Sequence, residues 1–263
     1  MRSLSTRYAT AFTTPPEDMS KHSAHFEMAR KEDEVGLETG ELPPYLVPHS
    51  QEPIKLLYRD SQLLIVDKPT LLLSVPGRHP KNRDCLLARL NHRYPGVNAV
   101  HRLDLDTSGV MVVPRCRHAL SSLARQFQSR QIDKVYVARV AGCVSDDRGE
   151  VDLPLTADWP NRPKQKVCLD SGKPALTRWQ VLSRDSQSSL LQLRPITGRS
   201  HQLRIHMKEM GHPILGCDFY APLSVLNAAP RLLLHAVQIR FRHPISGHYL
   251  TAYSSPPAVF DSR

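Results

Sequence analysis

Eight short apolar runs, each bounded by Pro, Gly, Asp or another turn former, recur along the chain: IKLLY (54–58), QLLIVDKP (62–69), GVMVV (109–113), KVYVARV (134–140), ALTRWQVL (175–182), SSLLQLRP (188–195), RLLLHAVQIRF (231–241) and HYLTAY (248–253). Their β-branched content and limited length suit strands better than helices. Three stretches break the pattern. Asp84 stands where it can cap a helix over CLLARLNHRY. In RHALSSLARQFQSR, Leu120, Leu123, Ala124 and Phe127 share one helical face, and SHQLRIHMKEM places Leu203, Met207 and Met210 on another before stopping at Gly211. Many strands with few helices predict an α+β protein built around an extended sheet. Segment 142–174, which includes GCVSDDRGEVDLPL, is expected to be an irregular excursion between strands. A functional loop and a tolerated insertion are equally open there.

Charge is unevenly placed. Residues 1–50 hold 5 Lys and Arg against 8 Asp and Glu, whereas residues 51–263 hold 30 against 17. The first segment has no sustained apolar period and is expected to be a mobile acidic N-terminal extension, with one folded domain over 51–263 whose core starts near Pro53. A cationic body suits a polyanion, because each Lys or Arg that neutralises a phosphate releases counterions; a merely solvated basic surface is the alternative. No stretch approaches the ~20 apolar residues needed to cross a bilayer, and the N-terminus lacks the compact apolar centre of a secretory signal, so a cytoplasmic protein without membrane contact is expected. The cysteines, Cys85, Cys116, Cys143, Cys168 and Cys217, are never spaced as CxxC, and read as reduced thiols rather than disulfides or zinc ligands.

The densest chemistry lies in AVHRLDLDTSGVMVV (99–113). A short apolar strand is expected to lead into two carboxylates, and a Thr-Ser-Gly turn follows. If the strand ran on, Arg102, Asp104 and Asp106 would share a face, costly in a core and natural in a cleft. A lone Asp here would be read as a turn cap.

HRLDLDTSG resembles the signature of the RluA family of pseudouridine synthases. LLIVDKPTLLLSVPG is similar to that family's opening strand, KVYVARVAG to its tyrosine-bearing strand, and RPITGRSHQLRIHMKEMGHPILGCDFY to its arginine-bearing motif, in order from about Pro53 to Pro257. The resemblance implies the pseudouridine synthase catalytic fold, a mixed and largely antiparallel sheet with flanking helices. It implies Asp104 as the catalytic carboxylate, Arg204 opposing it as a bidentate guanidinium, Tyr136 stacking on the target base, and Arg102 filling the stack that the base vacates. Asp106 is expected only to brace the turn, and His101 to be structural. DWPNRPKQKVCLDSGKPALT (158–177) and PRLLLHA (230–236) are similar to the subgroup that modifies uridine 32 of the tRNA anticodon loop and a hairpin of 23S ribosomal RNA. Structured RNA is thus the expected partner, with no DNA, and the chain is expected to act as a monomer. The family's small basic RNA-binding domain finds no counterpart in residues 1–50.

Pseudouridine forms when the N1–C1′ bond breaks, the base turns and C5 bonds to C1′. No atom is added and no oxidation state changes, so neither cofactor nor metal is expected. The carboxylate either captures the cationic C1′ or removes a proton from C2′ to give a glycal, and both routes stay open. The other readings are a non-catalytic RNA-binding or ribosome-assembly protein and, from the paired carboxylates, a carbohydrate hydrolase. The basic body disfavours a neutral sugar, and neither a GxGxxG loop nor a zinc deaminase signature is present.

Overall fold

The computed structural model describes residues 46–48 and 50–261. The strands are β1 (Lys55–Arg59), β2 (Leu63–Lys68), β3 (Ser108–Pro114), β4 (Asp133–Ala141), β5 (Arg148–Asp152), β6 (Leu155–Ala157), β7 (Gln165–Val167), β8 (Leu176–Arg184), β9 (Ser188–Pro195), β10 (Leu234–Arg242) and β11 (Tyr249–Tyr253). The helices are α1 (Leu86–Arg93), α2 (Arg117–Gln128), α3 (Gln202–Glu209) and α4 (Leu223–Leu226). Eight strands of one sheet follow the order β1-β2-β3-β10-β4-β9-β8-β5, with β11 paired to β10 as its ninth. Within this sheet only β3 and β10 run parallel, as expected for a mixed, largely antiparallel α+β fold.

The central strands read as unbroken apolar runs because they are covered on both faces. Leu64, Val66, Met111 and Val113 pack with Leu86 and Leu90 of α1. The alternate residues Leu63, Ile65, Val110 and Val112 pack instead with Leu123 of α2 and with Phe241. Each such burial is worth about 1.5–3 kcal/mol, so this sandwich is the rigid support for what projects from its ends.

Several local expectations change. Cys85, not Asp84, caps α1, accepting from Ala88 N at 3.3 Å, while Asp84 pairs with Arg89 at 2.6 Å. On α2 the buried face is Ala119, Leu123 and Gln126, and Ala124 is exposed. Gln126 can sit inside because its amide bonds both the N–H and the carbonyl of Arg242 at the end of β10. Helix α3 is not amphipathic: six consecutive residues, Gln202 to Met207, are buried, since the sheet and the 212–220 segment enclose it. It does end at Gly211, whose φ of +85° continues the chain where other residues would be strained. Segment 142–174 is more ordered than its composition suggests. It contains edge strand β5 and the β6–β7 ribbon, which the sequence hides because only Val151 of β5 is buried.

The body also begins earlier than expected. Val47 N donates to Asn82 Oδ1 at 3.0 Å, and the buried Ser50 offers its carbonyl to Arg89. The expectation of a mobile extension otherwise falls on residues outside those described.

Gly109 carries the junction between β3 and β10. Its φ is +116°, and a Cβ there would stand 2.3 Å from the Ala236 carbonyl oxygen. Parallel pairing of His235 with Ser108 and of Ala236 with Gly109 needs that closeness. Gly109→Ala should therefore lower stability by more than about 3 kcal/mol, seen as a lower urea midpoint, or prevent folding. An unchanged midpoint would contradict the tight junction.

Candidate active site

The chain leaves the sheet ahead of β3, and residues 101–107 form an irregular loop rather than the expected strand. A turn closed by Thr107 N to Asp104 O at 3.2 Å separates the two carboxylates instead of aligning them on one face. Side chains from elsewhere clamp this loop through its backbone. Ser74 Oγ donates to Leu103 O at 2.7 Å and accepts from Leu103 N at 3.1 Å; Thr70 Oγ1 donates to Asp106 O at 2.9 Å; Arg231 Nη2 donates to Asp106 O at 3.3 Å. Lys68, 0% exposed, donates to Pro69 O, Leu72 O and Leu105 O at 2.7–3.1 Å. Burial pulls its pKa down to about 7, while three carbonyl acceptors use all three protons of the ammonium form.

Asp104, Tyr136, Arg102 and Arg204 all line one cavity of about 560 Å³, bounded by the 100–107 loop, the start of β4 and the 195–204 segment. That volume suits a nucleotide-sized ligand. Asp104 is half-buried, is the one carboxylate among the lining residues, and its side chain has no hydrogen bond or ion pair among the described residues. Tyr136 faces it from β4. Burial, then the Asp104 charge, raises the phenol's pKa, so Tyr136 is a neutral donor and stacking surface at physiological pH. Arg102 is exposed at the rim and bridges the mouth, its Nη2 bonding Ser200 Oγ at 3.1 Å.

Arg204 does not pair with Asp104 as expected. It is 1% exposed; its guanidinium bonds Asp218, stands 3.8 Å from Asp106 Oδ2, and lies 5.1 Å and 5.4 Å from the Phe219 and Tyr220 rings. Burial alone would weaken its charge, but Cys217, Asp218, Asp106 and Asp104 outweigh that and raise its pKa. Arg204 thus lines the cavity while its guanidinium is held by Asp218 and Asp106 rather than by Asp104. Asp106 is correspondingly more than a turn brace. Its carboxylate turns inward to this cluster, where burial and then Asp218 push its pKa upward.

His101 is structural, as expected. It accepts from Val112 N at 3.0 Å and stacks on Phe127 with ring centres 4.8 Å apart. Among the described residues no three His, Cys, Asp or Glu side chains converge on a possible metal position.

Comparison with known proteins gives the family. The profile of the family described as RNA pseudouridylate synthase matches residues 62–209. The chain belongs to the RluA family of RNA pseudouridine synthases. It is 52% identical over 193 residues to the dual-specificity RNA pseudouridine synthase RluA of Yersinia pestis, covering 73% of this chain and 94% of that one. The protein of that name from Escherichia coli strain K12 is 50% identical over 203 residues, covering 76% and 93%. Among solved structures, human RNA pseudouridylate synthase domain containing 1 superposes with a TM-score of 0.67 at 28% identity, covering 80% of this chain and 86% of that one. As a member of this family the chain is an isomerase.

The structure also brings in residues that residue-by-residue reading missed. Lys68 was legible only as the polar end of LLIVDK, and nothing marked Asp218 in GCDFY as the partner of Arg204. Tyr220 ties this motif to the cavity wall, its hydroxyl 2.6 Å from Nδ1 of His201.

Two histidines behind the loop set a pH limit. Burial, then Lys134, lowers His101 from 6.5 to about 3; burial, then Arg231, lowers His235, bonded to Ser108 at 2.7 Å, to about 4. The unfolded chain binds these protons and the folded chain does not, so their contribution is intact above about pH 6.5 and lost as pH falls below it. Stability should drop with a slope of up to about 1.4 kcal/mol per pH unit for each histidine between pH 6 and 4. Urea unfolding across this range measures it, and His101→Gln should flatten the curve.

Proposed function

We propose that this chain converts uridine to pseudouridine in stem-loop RNA, at uridine 32 of the tRNA anticodon loop and in a hairpin of 23S ribosomal RNA, with Asp104 as the catalytic carboxylate. The observation carrying this reading is the unpaired Asp104 side chain, facing a nucleotide-sized cavity between a neutral phenol and a buried guanidinium. The relatives' name, dual-specificity RNA pseudouridine synthase, supports the two-substrate part, and the 30 basic against 17 acidic side chains in residues 51–263 suit an RNA partner. Action in the cytoplasm as a monomer belongs to the same reading.

The target base must leave its stack to reach Asp104. Arg102, exposed at the mouth and tethered to Ser200, is placed to fill the gap with its planar guanidinium. Inside, the base lies against Tyr136. Cleavage of the N1–C1′ bond builds positive charge at C1′, and the Asp104 carboxylate stabilises it, whether by covalent capture or by taking the C2′ proton. Protonated Tyr136 cannot act as a phenolate base; it holds the base by its ring and hydroxyl while the base turns. Arg204, held by Asp218 and Asp106, leaves Asp104 free of an ion pair.

Asp104→Asn keeps size and removes the charge. Single-turnover isomerisation of a labelled anticodon stem-loop should slow at least about a thousandfold, while RNA affinity stays equal or rises slightly. A near-native rate would sink the assignment. For the targets, chemical mapping of pseudouridine in total RNA from cells with and without the gene should show loss at both the tRNA and the ribosomal position. Loss at one alone would refute dual specificity here.

A further inference from the structure

Among the described residues, the most deeply buried cations have partners. Lys68 has three carbonyls, Arg139 has Asp185 and Ser188 at 2.8 Å each, and Arg204 has Asp218 and Asp106. Lys134 has none. It is half-buried near the start of β4, paired across the strand with Ile239, and its side chain makes no hydrogen bond or ion pair among the described residues. Burial is what lowers its pKa, with no carboxylate offsetting it. An unpaired ammonium in such a place is costly and is tolerated where an external anion completes it.

The position names the anion. Lys134 and Tyr136 are two residues apart on one strand face, about 7 Å along the strand, and both line the cavity. That is the scale separating a nucleotide's base from its own phosphate. Across the cavity Lys134 meets Gly198: a Cβ built on this glycine would lie 3.5 Å from Nζ, so the glycine places no side chain of its own beside the amine. Arg102, Arg130 and Arg199 line the same cavity, and Asp104 is its one carboxylate. We infer that Lys134 is a phosphate-binding residue of the active site, receiving a phosphodiester that flanks the uridine held against Tyr136. The inference rests on the proposed uridine isomerisation and adds the subsite that fixes the backbone while the base turns.

The test is a cycle between protein and RNA. Stem-loops carry a neutral methylphosphonate in place of the phosphate 5′ or 3′ of the target uridine, and each is titrated against the wild-type full chain, Lys134→Met and Lys134→Arg. Wild type should bind one of the two substituted RNAs about tenfold more weakly or worse, and Lys134→Met should be indifferent to that substitution. The salt slope of log affinity should fall by about 0.7–0.9 in Lys134→Met and recover in Lys134→Arg. Thermal stability of Lys134→Met should hold or rise, because an uncompensated cation is gone; a fall would mark a structural residue. Equal sensitivity of wild type and Lys134→Met to both substitutions, or an unchanged salt slope, overturns the assignment. If wild type isomerises the unmodified stem-loop in either case, the failure belongs to Lys134 alone; absence of isomerisation would overturn the functional reading itself.

Discussion

A guanidinium withdrawn from water needs its charge met by several groups at once, and at Arg204 those groups come from separate parts of the chain. Asp106 belongs to the loop before β3, Arg204 to α3, and Asp218, Phe219 and Tyr220 to the turn beyond α3. Removing any carboxylate would leave buried charge uncompensated, a cost of several kcal/mol, so the three segments are held together as a unit. The cavity wall follows from this pairing. It draws α3 inward until six consecutive residues are buried, and through Tyr220 and His201 it sets the 198–201 wall of the cavity.

The loop bearing Asp104 is organised on the opposite principle. Its backbone is bound by Ser74, Lys68, Thr70 and Arg231, whereas the Asp104 side chain is left unbound. Backbone clamping holds a carboxylate in position without using up its oxygens, and an oxygen already accepting from a guanidinium would be a weaker nucleophile or base. The division between Asp104 and Asp106 is thus one of neighbours. One faces the cavity free; the other turns into the Arg204 cluster and gives up its reactivity to hold it.

The β3–β10 junction places this loop. The single parallel pairing in the main sheet occurs where the chain emerges from the loop, and it requires Gly109 at a φ of +116° against Ala236. Antiparallel β4 then lies beside β10, presenting Lys134 and Tyr136 toward the cavity from rigid sheet. The cavity thus sits at one end of a sandwich whose two faces are filled by α1 and α2.

Much of this was legible in residue order. Runs such as SSLLQLRP and GVMVV, with β-branched residues between turn formers, mark strands β9 and β3 to within a residue, since strand formation depends on local pattern. HRLDLDTSG, KVYVARVAG and HQLRIH carried Asp104, Tyr136 and Arg204, because motifs preserve chemistry in linear form. Edge strand β5 and the β6–β7 ribbon were hidden, as they bury too few side chains to show a period. What the sequence by itself determined is most of the strands, the basic charge of the body and the motifs that hold the candidate site residues. Only the tertiary structure decided that Arg204 bonds Asp218 instead of Asp104, that Asp106 turns inward, and that Lys134 stands unpaired. The reason is physical: a charged side chain's partner is chosen by burial and distance in space, and neither quantity is written in the spacing of residues along the chain.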